Sequence, residues 1–156
     1  MEHLESGTSR DGSVRKPAVA GLFYPSDRRE LENSVNFYLA DAAAKLPSTI
    51  KCPPKAIIVP HAGYKYSGLT AAAAYNNLKQ ARDRIKRVVM MGPCHRVGIS
   101  NIALPSSHAF DTPLGRVPLD MEAIDKILPL HQVSIFDQTH TEDHSLEVHL
   151  PFLQTI

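Results

Sequence analysis

The residues best suited to chemistry are two histidines in matching settings. In "AIIVPHAGYKYSG" (56–68) an apolar run meets Pro60, and His61 follows. In "VVMMGPCHR" (88–96) an apolar run meets Gly92 and Pro93, and His95 comes shortly after. Imidazole is the commonest side-chain ligand of divalent transition metals. In an open parallel α/β sheet, ligands gather beyond the carboxyl ends of the strands. Two histidines leaving neighbouring strand ends, about 4.8 Å apart, can converge on one ion. A single histidine after a strand is ordinarily a loop residue bonded to backbone. The repeated context makes a metal site worth considering.

A third cluster is "THTEDHSLEVHLP" (139–151), holding His140, Glu142, Asp143, His144, Glu147 and His149. It is not the HExxH zinc motif. On a helix His144 and His149 would diverge by about 140°, whereas His144 and Glu147 would share a face. Two readings stand open. In one, Glu142 and Asp143 sit at the positive end of a helix dipole. In the other, His144 reaches the same pocket mouth as His61 and His95 and moves a proton, oriented by a nearby carboxylate. Spacing alone favours the first.

The elements that must carry these residues are partly legible. Residues 1–14 lack any period and read as a flexible tail. "PAVAGLFYPSD" (17–27) reads as a short extended piece. Asp27 and Glu30 form a capping-box pattern, and Leu31, Val35, Tyr38, Leu39 and Ala42 recur at helical spacing. Ala56–Val59 and Val88–Met91 read as buried strands flanking an alanine-rich helix. That order predicts a βαβ unit with parallel strands. "NIALP" and "HQVSIF" read as further strands, and "AFDTPLGRVPLD" as a hairpin around Pro113 and Gly115. A helix is expected from Asp120 or Met121 to about Leu128, and another in the final segment, starting near Ser145 or Pro151. The apolar residues of "HLPFLQTI" predict an apolar surface at this end that further chain would cover.

Composition narrows the classes. The chain has 156 residues, 43% of them apolar, with a formal net charge of +1. That is enough for one folded domain, and nothing in the charge predicts nucleic acid or an acidic membrane as partner. Cys52 and Cys94 do not make a disulfide framework, and no apolar run approaches the roughly 20 residues of a membrane span. The expectation is a cytoplasmic setting.

Five segments together resemble the Memo family: "RKPAVAGLFYP" (15–25), "PHAGYKYSG" (60–68), "GPCHR" (92–96), "TPLG" (112–115) and "EDHSLEVHLPFLQ" (142–154). Its human member is a mediator of ErbB2-driven cell motility. Its prokaryotic members are called AmmeMemoRadiSam system protein B. The resemblance implies a fold like that of class III extradiol dioxygenases, an α/β domain of three layers (α/β/α) around a central mixed, largely parallel sheet. It implies that 15–156 is the N-terminal part of one such domain. It further implies that His61 and His95 are metal ligands and that His144 is a catalytic proton donor or acceptor outside the ligand set. Iron(II) is then the leading metal and copper the alternative. A third ligand, a cysteine, is expected beyond Ile156, so this chain alone would hold metal weakly or not at all. Cys94 is not expected to substitute, its side chain leaving the backbone on another side from His95. A small aromatic diol or a partner protein would occupy the cleft, and a functional link to a radical SAM protein follows from the prokaryotic name. The alternative is a binding module that reuses the dioxygenase-like cleft without catalysis.

Overall fold

Asp27 starts the first long helix as its position predicts. Its carboxylate accepts from the Glu30 backbone N–H at 2.9 Å, a cap that stabilises by about 1 kcal/mol. The computed structural model describes residues 12–156. In it, helix α1 spans Arg28–Lys45 and buries Leu31, Val35, Leu39 and Ala42, the face set by the 3.6-residue period. The tail expected at 1–14 falls mostly outside the described residues, but its last residue, Val14, opens strand β1 (Val14–Arg15) and is paired with Ala109.

Helix α2 (Tyr64–Asn76) packs its alanine-rich face on α1. Gly68 allows the approach: a Cβ there would lie 2.8 Å from the Tyr38 ring. The segment 17–27 is a turn rather than an extended strand, closed by a bond from Gly21 N–H to the Tyr24 carbonyl. Tyr64 N–H in turn donates to the Phe23 carbonyl at 2.8 Å, which ties that turn to the start of α2.

Strands β2 (Ile102–Leu104), β3 (Ala109–Thr112) and β4 (Gly115–Pro118) follow, then helix α3 (Met121–Ile127) and strand β5 (Val133–Ile135). β3 and β4 form the expected antiparallel hairpin, with β1 parallel to β3 on its other side. β2 pairs with β5 in parallel. The chain is therefore α/β with mixed strand directions, its ladders running in two small sheets among the described residues. The short helix α4 (Gln138–Thr141) and a 3-10 turn at Glu147–His149 lead to helix α5 (Leu150–Thr155).

One expectation needs correction in full and a second in part. Ala56–Val59 and Val88–Met91 are not buried strands, and the βαβ unit is not formed as a ladder among the described residues. Both segments lack ladder pairing, and Ile58, Val89 and Met91 are 101%, 84% and 80% exposed. A β-rich run becomes a strand only when another backbone supplies its hydrogen bonds, and among the described residues no neighbour does. The second correction concerns the C-terminal segment. Phe152 is fully buried, stacked on Tyr75 with centroids 5.1 Å apart and also against Tyr64. Leu153 and Ile156 are only partly buried, and the most exposed apolar side chains of the extended segments are Ile58, Val89 and Met91.

Candidate metal centre

Three loops carry the chemistry, and each is held by its own backbone contacts. His61 stands just before α2. The turn after it is fixed by Ser67, whose hydroxyl donates to the Ala62 carbonyl at 3.0 Å. Gly63 faces the Phe23 backbone at a distance where a Cβ would make ordinary contact. His95 follows Gly92, and Gly92 is where crowding is severe. A Cβ there would lie 2.8 Å from Ser145 Oγ and 3.1 Å from Leu146 Cδ2. Glycine thus lets the loop of His95 lie directly on the loop of His144.

The Asp143 carboxylate joins these two loops. Oδ2 accepts from the His95 backbone N–H at 2.8 Å and lies 3.1 Å from His95 Nδ1, while Oδ1 accepts from Ser145 N–H at 2.8 Å. Burial alone would raise the Asp143 pKa, but the N–H groups of His95 and Ser145 outweigh it and hold the carboxyl below the usual carboxylate range. An ionised carboxylate only accepts hydrogen bonds. The proton of a neutral His95 ring therefore sits on Nδ1, leaving the Nε2 lone pair free. This is the arrangement by which carboxylates orient metal-ligating histidines.

The three rings converge. Centroids of His61 and His95 are 5.3 Å apart, and those of His61 and His144 5.8 Å. His95 and His144 stack at 4.4 Å with 16° between planes. One ring nitrogen from each of His61, His95 and His144 lies within 4.8 Å of the others. The His144 pKa is lowered, first by burial and then by the neighbouring His95 ring. A neutral imidazole is the form a metal needs. The Phe23 ring also lies against His144, centroid to centroid 4.4 Å with 35° between planes.

The structure departs from the sequence reading in two details. His144 is not on a helix and does not share a face with Glu147, because Asp143 caps Ser145 and regular structure begins only at Glu147. Asp143 serves no helix dipole, and the ring its carboxylate orients is that of His95 rather than His144. His140, which was given no role, is turned away, its Nε2 3.2 Å from the Ala103 carbonyl, and Cys94 Sγ is 3.8 Å from the Thr139 carbonyl, in keeping with the expectation that it does not substitute as a ligand.

The sequence reading assigned no role to a buried network beneath the site. Glu147 is wholly buried and accepts from Arg15, Tyr24 and the backbone N–H groups of Ala18 and Val19, at 2.6–3.0 Å. Arg15 also donates to the carbonyls of His140 and Asp143 at 2.6 and 2.8 Å, and its guanidinium lies over Phe110. The available signal was a charged residue in each of two quoted motifs, Arg15 and Glu147, with no other partner in view.

A cavity of about 320 Å³ lies behind the loops, walled by Met91, Ile102, Leu104, Phe110 and Leu146. None of the three histidines lines it. Asp143, at its edge, is the link between that cavity and the imidazoles.

A profile of the Memo-like protein family matches residues 15–156. A MEMO1 family protein of Aquifex aeolicus is 43% identical over 141 residues, covering 90% of this chain and 49% of its own length. One from Ignicoccus hospitalis is 41% identical over 148 residues, covering 90% and 51%. One from Thermoplasma volcanium is 37% identical over 142 residues, covering 90% and 50%. The chain thus spans about half the length of the curated relatives it matches. A match that runs through the loops of His61, His95 and His144 to the last residue leaves one conclusion: this chain belongs to the Memo-like family.

Proposed function

We propose that the chain supplies the histidine side of a non-haem metal site, with His61 and His95 as ligands, and that the site serves redox chemistry on a small aromatic diol. The observation that supports this reading is the convergence of the imidazoles, with Asp143 holding the His95 proton on the far nitrogen. The residues fit a metal: nitrogen donors at about 2.1 Å around a tetrahedral ion lie about 3.4 Å apart, within reach by small ring rotations from 4.8 Å. Iron(II) is the first candidate and copper the second, since imidazole suits both. Such an ion would supply Lewis-acid and one-electron chemistry. The protein's own part is to orient His95 through Asp143, to shield one face of His144 with Phe23, and to leave His95 open to solvent. The relation to extradiol dioxygenases, the cytoplasmic setting and the link to a radical SAM protein belong to this proposal. Among the described residues no helix is long and apolar enough to cross a membrane.

The test is metal analysis of the protein purified under nitrogen, followed by oxygen uptake with catechols. Bound iron with catechol-dependent uptake supports the reading, and metal with no uptake for any diol removes the dioxygenase part. A second reading, a protein-binding module, draws on the exposed Ile58, Val89 and Met91. It gains if the purified protein holds no metal at all.

A further inference from the structure

We propose that the outward face of Ala56–Val59 and Val88–Met91 is a docking surface. Its occupant is the half of a Memo-like domain that this chain does not span, and the two halves assemble even when carried on separate polypeptides. The inference does not rest on the metal reading, and no metal enters its test.

Both segments are shaped as strands with one face already seated. Side chains of an extended chain point alternately to opposite faces. Ile57 and Val59 pack against the α1–α2–α5 core, while Ile58 between them is fully exposed. Met90 is half-buried, whereas Val89 and Met91 on either side of it are exposed. The segments end close together, since the rings of His61 and His95, just beyond those ends, are 5.3 Å apart. None of their backbone N–H groups donates to a backbone carbonyl among the described residues. The bare surface continues into the open cavity of about 320 Å³, which Val89 and Met91 share with Ile99, Ile102 and Ile127, all exposed. Largely parallel α/β sheets carry a covering layer on both faces. Here the α1–α2–α5 layer covers one.

Length decides the occupant. The match to the Aquifex aeolicus relative takes in 90% of this chain but 49% of that protein. In the relative, a stretch about as long as this chain is therefore left to pack on the same scaffold. The surface open to receive it is not the C-terminal segment, where Phe152 is buried, but the outer side of the two extended segments. A second copy of this chain brings only the same bare face and no layer to lay over it.

The test is co-expression of the tagged chain with the unmatched half of the Aquifex relative. The two should elute together in equal amounts. Hydrogen exchange at 56–59 and 88–91, fast in the free chain, should slow in the complex. Ile58→Lys with Val89→Lys places two charges in the contact and should weaken capture at least about tenfold. Phe37→Lys, at an exposed position of α1, should leave capture unchanged. A single polypeptide in which that half follows Ile156 repeats the exchange measurement where the separate half is insoluble. The inference fails if neither arrangement slows exchange at both segments, or if the double variant captures as well as the unmodified chain. It also fails if concentrating the free chain slows both segments equally, which would assign the face to a second copy.

Discussion

Glu147 shows how a single side chain can hold a site it never touches. Its carboxylate collects donors from Arg15, Tyr24 and two backbone N–H groups. Removing one partner of a buried ion pair leaves the other charged and unpaired, which costs about 3–5 kcal/mol. Glu147→Ala is therefore expected to lower unfolding stability by that amount in urea, and Glu147→Gln by less, since the amide oxygen still accepts. His149 sets a pH limit. Burial lowers its pKa from 6.5 to about 4, with the nearby His61 adding to the effect. The unfolded chain then takes up the proton first as pH falls. The stability His149 contributes is fully present above about pH 6.5 and is lost progressively down to about pH 4. His149→Phe, which keeps the ring and removes the titration, should flatten the melting temperature across that interval. An unchanged slope would show that other groups control it.

At the scale of elements, α1 and the β3–β4 hairpin were legible because their signals are local: a cap, an apolar stripe, a Pro–Gly turn. Leu31, Val35, Leu39 and Ala42 are buried as their spacing requires. Ala56–Val59 and Val88–Met91 were misread because a strand is defined by what lies beside it, and nothing in their residue types reveals a missing neighbour. The site was half legible. His61 and His95 stood out by their repeated setting, while the bond from Asp143 to His95 crosses 48 residues and leaves no local pattern. Gly92 belongs to the same class of hidden contact. Gly92→Ala would press a methyl group onto Ser145 and Leu146, so overpacking should cost about 1–3 kcal/mol and displace the loop of His144. Ser145→Gly in the same chain removes the two nearest atoms and should recover part of the stability. A double-mutant cycle by thermal melting measures the coupling, and additive losses would show that the loops can slide apart.

Over the whole molecule, apolar side chains are divided unevenly. The α1–α2–α5 core is closed around Tyr64, Tyr75 and Phe152, while Ile58, Val89 and Met91 stand on unpaired backbone. Apolar side chains on an unpaired extended edge favour association. Sedimentation should show mass rising with concentration, and Ile58→Lys with Val89→Lys should reduce it while leaving the melting temperature nearly unchanged. A monomer at all concentrations would mean that these side chains cover one another in solution. The Arg15–Glu147 pair has a further consequence, for birth rather than stability. Its partners are 132 residues apart. At about 5–20 residues per second of synthesis, Arg15 waits roughly 7–26 s for the carboxylate that will neutralise it. Strand β1 waits as well, since its partner β3 lies near the later end. The nascent chain can close α1 against α2 early, but the floor beneath the histidines is laid only when Glu147 leaves the ribosome. A translation pause placed just before that codon would lengthen the interval in which the half-built domain is open to proteases and chaperones.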